Sequence, residues 1–156
     1  MHALETEYKG VLYRSRLEAR WAIFFDACKL EYVYEPECFI LKDGKKYTPD
    51  FYLPKYDLYV EIKPNFDWLE NEYHLNRYIN FSKKIIILSG SYPHYRTSRL
   101  FNNGSQENVI FCPSSIYEPY IVFNDKKLNQ PIDDLDFESI DYEWELQLVK
   151  SYRFWN

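Results

Sequence analysis

Apolar and polar positions alternate with period two on both sides of a short turn between Thr48 and Lys63, the pattern of two antiparallel strands joined as a hairpin. With Lys55 and Tyr56 as the turn, Pro54 faces Asp57, Tyr52 faces Tyr59 and Asp50 faces Glu61. Phe51, Leu53, Leu58, Val60 and Ile62 then share an apolar face fit for a core, while Asp50, Tyr52, Tyr59, Glu61 and Lys63 share the other, left for chemistry.

The same reading extends to the rest of the chain. Residues 8–13 form a short extended lead-in. From Arg14 to Leu30, the residues Leu17, Trp21, Phe24 or Phe25, and Cys28 recur at helical spacing and predict a helix. Glu31 to Glu35 alternates as a strand ended by Pro36, with Glu35 and Glu37 as exposed strand-end charges, and Phe39 to Tyr47 reads as a hairpin around Asp43-Gly44. Asn65 to Lys83 predicts a second helix with Leu69, Tyr73, Asn76 and Ile79 or Asn80 along one side, and with His74, Arg77, Lys83 and Lys84 solvated. Ile85 to Leu88 is a continuous apolar run, as in a strand buried on both faces. A strand that follows a helix that follows a strand predicts a crossover and a parallel neighbour. Ser91 to Arg99 reads as a loop interleaving aromatics with bases, and Val109 to Cys112 and Tyr120 to Phe123 as further strands. The whole is an α/β fold: a mixed β-sheet flanked by helices, with an added β-rich C-terminal part.

Composition narrows the classes. A chain of 156 residues fits a single domain, residues 1–156. Four glycines and no phosphate-cradling motif set aside a glycine-loop nucleotide site. Cys28, Cys38 and Cys112 are odd in number and widely spaced, which matches neither a disulfide framework nor a zinc pattern and fits a reducing cytoplasm. The N-terminus lacks a basic-then-apolar signal region and no apolar run reaches membrane-spanning length, so no membrane partner is expected. The net charge of −5 is unlike a nucleic-acid binder, but residues 133–145 hold seven of the 24 acids and no base. Elsewhere 17 acids stand against 19 bases, a net of +2, which leaves room for salt-sensitive binding of a polyanion. The acidic segment itself would suit a basic protein partner.

The candidate chemistry lies on the hairpin. Directly opposed residues have Cβ atoms about 5 Å apart, and like charges there are destabilising unless neutralised. A hard divalent cation neutralises them, and Mg²⁺, with Mn²⁺ as a substitute, suits a site of few carboxylates and retained waters. Lys63 falls beside the same site. Glu18 has two readings: partner of Ser15 in a capping box, or a third carboxylate turned toward the hairpin. Arg14, Arg16 and Arg20 likewise read either as a solvated face with an Arg14–Glu18 ion pair or as forked phosphate donors. Arg96 and Arg99, among aromatics, suit phosphate attraction and stacking on nucleic acid.

Pro49-Asp50, followed eleven residues on by Glu61-Ile62-Lys63, resembles the motif of the PD-(D/E)XK nuclease superfamily. The run Arg14-Ser15-Arg16-Leu17-Glu18-Ala19-Arg20-Trp21-Ala22 resembles the first helix of its small bacterial and phage-borne members. The resemblance covers about residues 8–90 and leaves 91–156 as a C-terminal elaboration. It implies a restriction-endonuclease-like fold in a bacterial or phage-encoded cytoplasmic protein that acts as a Mg²⁺-dependent endodeoxyribonuclease. It also implies Asp50, Glu61 and the Ile62 backbone carbonyl as metal ligands, Lys63 as the catalytic amine, and Glu18 at a second metal site. Cutting both strands of DNA would favour a homodimer. Two other expectations stand beside this one: a catalytically weak or inactive module on the same fold that binds nucleic acid or protein, and a purely structural set in which Lys63 pairs with one of the acids.

Overall fold

The computed structural model describes residues 4–89, 97–111 and 120–122. The acidic segment 133–145, the C-terminal aromatics, Cys112 and Arg96 lie outside the described residues.

The chain opens with β1 (Thr6–Tyr8) and β2 (Val11–Tyr13), paired antiparallel. This replaces the expected extended lead-in. Lys9 (φ +50) and Gly10 (φ +78) both turn left-handed, the conformation a tight hairpin turn needs and one that glycine adopts without strain. Helix α1 (Arg16–Ala27) follows, with Ser15 as its N-cap. Its burial exceeds one stripe: Ala19, Trp21, Ala22, Ile23, Phe24, Phe25 and Ala27 are all buried.

The expected strand at 31–35 is reduced to β3 (Val33–Tyr34), because Glu35 turns left-handed at φ +47. Strands β4 (Phe39–Ile40) and β5 (Lys46–Tyr47) form the predicted separate hairpin. The central hairpin follows as β6 (Phe51–Leu53) and β7 (Leu58–Lys63). Its register is the expected one, with Tyr52 opposite Tyr59. The connection is a 3-10 turn over Pro54–Tyr56, closed by a left-handed Asp57.

The predicted helix 65–83 is broken. Asp67–Glu70 is a 3-10 turn, and α2 spans only Glu72–Ile79. Asn71 ends one and caps the other, its side chain accepting from the Tyr73 and His74 amides. Shortening the helix changes its buried face. Tyr78 is fully buried, whereas Tyr73, expected on the packed side, is 57% exposed.

Beyond α2, β8 (Lys84–Ser89) runs parallel to β7, as the crossover rule predicts. Strand β9 (Thr97–Asn102) then pairs with β10 (Ser105–Phe111), and β10 with β11 (Tyr120–Val122). The expected loop at 91–99 is thus corrected at its end: Thr97 to Arg99 lie in β9. Asn103 (φ +48) and Gly104 (φ +93) form the turn, a strong Asn-Gly hairpin signal that the sequence reading passed over.

The order β11-β10-β9-β8-β7-β6-β3 gives one mixed, mostly antiparallel sheet of seven strands. Alternation divides its side chains between two cores. Phe51, Leu53, Leu58, Val60, Ile62, Ile86 and Leu88 meet α1 on one face. On the other, Tyr59, Ile85 and Ile87 meet Trp68, Tyr78 and Phe81. The expectation that one face is core and the other is chemistry is therefore corrected. The polar face is mostly a second core, because α2 and its preceding turn must bury their own aromatics, each worth about 1.5–3 kcal/mol when removed from water. Chemistry is left with one end of the hairpin. No described helix is long and apolar enough to cross a membrane.

Candidate active site

Asp50 sits one residue before β6, so the register that pairs Phe51 with Val60 brings it opposite Glu61. Two backbone bonds hold it there. The Glu35 amide donates to the Asp50 carbonyl at 2.8 Å, and the Ile62 amide donates to Asp50 Oδ2 at 2.8 Å. The Asp50 and Glu61 carboxyls lie within electrostatic reach of each other. Glu61 is 4% exposed, while Asp50 still reaches solvent in part.

Three groups converge on a single oxygen, Glu61 Oε2. Lys63 Nζ lies at 4.0 Å, Arg77 Nη1 at 3.7 Å, and the Tyr78 hydroxyl donates at 3.3 Å. Lys63 is where alternation predicts it. Arg77 corrects the expectation of a solvated side chain: it is 23% exposed and paired with Glu61. His74, also expected to be solvated, has a buried Nδ1 without a hydrogen-bond partner. Burial, and then the nearby charges of Lys63 and Arg77, lower its pKa. Arg77, Tyr78 and Tyr47 also belong to this site, none of them expected there from the sequence. The Asn71 cap is the signal that could have found the first two, since a helix begun at Glu72 turns Tyr78 inward.

Electrostatics follow from this crowding. Desolvation, then the charge of Glu61, raises the Asp50 carboxyl well above its ordinary range, against the pull of the Ile62 amide. The Tyr47 hydroxyl is buried without a hydrogen-bond partner, and burial together with the charges of Glu61 and Asp50 keeps it protonated.

Glu18 satisfies part of each sequence reading. Its amide donates to Ser15 Oγ at 3.1 Å, and the Ser15 hydroxyl donates to Glu18 Oε1 at 3.1 Å. The N-cap is as predicted, with the hydroxyl rather than the Ser15 amide serving the carboxylate. Oε2 accepts from the Tyr34 hydroxyl. Glu18 also lies within electrostatic reach of Glu61, which adds to the rise that burial imposes on its pKa.

The arginines divide. Arg14 pairs with Glu35 at 2.6 Å, which corrects the expected Arg14–Glu18 pair. The cause is the left-handed turn at Glu35, which brings a nearer acid to the helix start. Arg16 buries its Nε without a hydrogen-bond partner, and Arg20 is half-buried on α1. Arg99 lies in β9, where Nη1 donates to Gln106 Oε1 at 3.3 Å.

Among the described residues no group of three His, Cys, Asp or Glu side chains is placed to hold a metal ion. The Asp50–Glu61 pair nevertheless has the chemistry of a hard-cation site. Its donors are oxygens alone, and a hard cation neutralises two like charges set opposite each other. Mg²⁺ commonly takes one or two carboxylates and completes its shell with water and phosphate. Comparison of the chain with family models, with curated proteins and with solved structures finds no match.

Proposed function

We propose that this chain is a divalent-metal-dependent phosphodiesterase that cleaves DNA, of the PD-(D/E)XK type on a restriction-endonuclease-like sheet. One observation carries the reading: the hairpin register sets two acids opposite each other, and two cationic side chains lie within 4.0 Å of the same oxygen of one of them. A structural ion pair needs one acid and one base, and does not require a second acid held against the first.

Asp50, Glu61 and the Ile62 carbonyl would hold Mg²⁺ or Mn²⁺, and Glu18 would support a second ion. When bound, the cation supplies charge for the phosphoryl oxygen and lowers the pKa of water. The chain's own residues do the rest. The Ile62 amide fixes Asp50, so this carboxyl is held in place before any ligand arrives. Lys63, 20% exposed at the rim, orients the attacking water and stabilises charge on the pentavalent phosphorus. Trp68 and Phe81 exclude water beneath the sheet end.

The test is cleavage of plasmid and oligonucleotide DNA with Mg²⁺ or Mn²⁺ by wild type, Asp50→Ala and Lys63→Ala. Loss in both variants supports the assignment. Equal cleavage by all three proteins overturns it.

A DNA- or protein-binding module with little catalysis is the second reading. It is favoured by one feature, that both Glu18 oxygens are already engaged by Ser15 and Tyr34. Calorimetric uptake of Mn²⁺ separates the two: DNA binding without cation uptake favours the module.

A further inference from the structure

Arg77 is held in a column of alternating cations and rings. Its guanidinium carbon lies 5.2 Å from the centroid of the buried Tyr47 ring and 4.9 Å from that of Tyr73. Lys45 Nζ sits over Tyr73 at 5.5 Å. The column runs from an exposed lysine inward to the Asp50–Glu61 pair. Each such contact is attractive, by about 0.5–1 kcal/mol at exposed sites and more where desolvated.

The geometry restricts what the guanidinium can do. With rings packed against it, its donors are offered in the plane of the group, the edge that binds carboxylate and phosphate by paired hydrogen bonds. That edge meets Glu61 at 3.7 Å, longer than a charge-assisted hydrogen bond of about 2.7–2.9 Å. The pair is thus a Coulombic contact that leaves donors to spare. Burial opposes the Arg77 charge, and the neighbouring Tyr73 and Glu61 side chains outweigh it. This partly buried guanidinium, set against two rings beside the acidic pair, shares its Glu61 oxygen with Lys63, so Glu61 alone does not require both cations.

We propose that Arg77, held by Tyr47 and Tyr73, is the phosphate-binding residue of this site and grips a backbone phosphate of the polynucleotide beside the carboxylates. This rests on the nuclease reading above for its substrate and adds the α2 side of the site as the surface along which the strand lies. Arg77 binds; Lys63 remains the amine at the reacting group.

The test is binding of a labelled oligonucleotide in Ca²⁺ between about 50 and 200 mM salt, where each phosphate contact contributes about 0.9 to the slope of log affinity against log salt. Arg77→Ala is expected to weaken binding about tenfold and to lower that slope by about one. Arg77→Lys should keep the slope and lose part of the affinity. Tyr73→Leu, at an exposed position, guards against a folding defect in Arg77→Ala and should weaken binding in the same direction. If Arg77 merely neutralises Glu61, Arg77→Ala will change Mn²⁺ affinity by calorimetry and leave the slope at the wild-type value, and the inference fails while the nuclease reading stands. Failure of the wild type itself to bind or cleave DNA overturns both.

Discussion

Ile62 and Asp50 are joined by a hydrogen bond from the Ile62 amide to Asp50 Oδ2 at 2.8 Å. A backbone donor in the middle of a sheet cannot swing away, so it holds the carboxylate where Glu61 must meet it. Two acids are kept together by the hairpin itself, at a cost in stability that a bound cation would relieve.

That cost has a pH signature. Burial, then the charge of Glu61, raises the Asp50 carboxyl well above the ordinary carboxylate range, so the folded protein keeps a proton that the unfolded chain releases first. The stabilisation from this group is full below about pH 4 and is lost as pH rises toward the folded pKa. In chelator, the thermal midpoint of the wild type should therefore fall with rising pH more steeply than that of Asp50→Asn. Equal slopes in the two proteins would exclude Asp50 as the source.

Lys63→Ala and Asp50→Ala should part company in calorimetry. On the proposed function, removing Asp50 takes away an oxygen donor and should abolish Mn²⁺ uptake. Removing Lys63 leaves both acids and should preserve uptake, while DNA cleavage falls by about 10²–10³, the usual scale for loss of one charge-stabilising donor.

Glu18 ties the N-terminus of α1 to β3 through Tyr34, whose hydroxyl also accepts from the Arg14 amide at 3.0 Å. Tyr34→Phe removes both bonds and should cost about 1–3 kcal/mol in urea unfolding, since it strands a half-buried carboxylate. Glu18→Gln keeps the shape and removes a charge whose burial is unfavourable. It should leave stability equal or higher, and if Glu18 serves a second ion, cleavage should still fall.

Phe51 joins the site to the core. It is fully buried and packs its ring against Tyr13, Phe25, Tyr32 and Tyr34. Phe51→Ala should cost about 3–5 kcal/mol and lower Mn²⁺ affinity through its neighbour Asp50. A loss under about 1 kcal/mol would mean the cluster repacks.

Gly104 turns at φ +93 between β9 and β10. An added Cβ would meet nothing closer than the Ile79 carbonyl at 3.9 Å, so strain rather than crowding opposes substitution. Gly104→Ala should lower stability by about 1 kcal/mol, read from urea unfolding.

What short-range physics controls was legible in the order of residues. Period-two alternation set the register of β6 and β7, and with it the meeting of Asp50 and Glu61 and the side on which Lys63 lies, although the expected two-residue turn is a 3-10 turn closed by a left-handed Asp57. Ser15 and the apolar spacing after it likewise determined α1. The rest was decided by contacts between segments distant in the chain. Nothing local distinguishes Arg77 from Lys83 as a surface base; it reaches Glu61 because Asn71 restarts the helix and Tyr78 must be buried under β7 and β8. The second core arose in the same way, since a tyrosine at position 59 reads as polar along the strand and becomes apolar surface once Phe39 and Phe81 close over its ring. Alternation tells which residues share a face, and only tertiary packing decides which face is left open to solvent, because burial depends on what the remote parts of the chain bring to cover it.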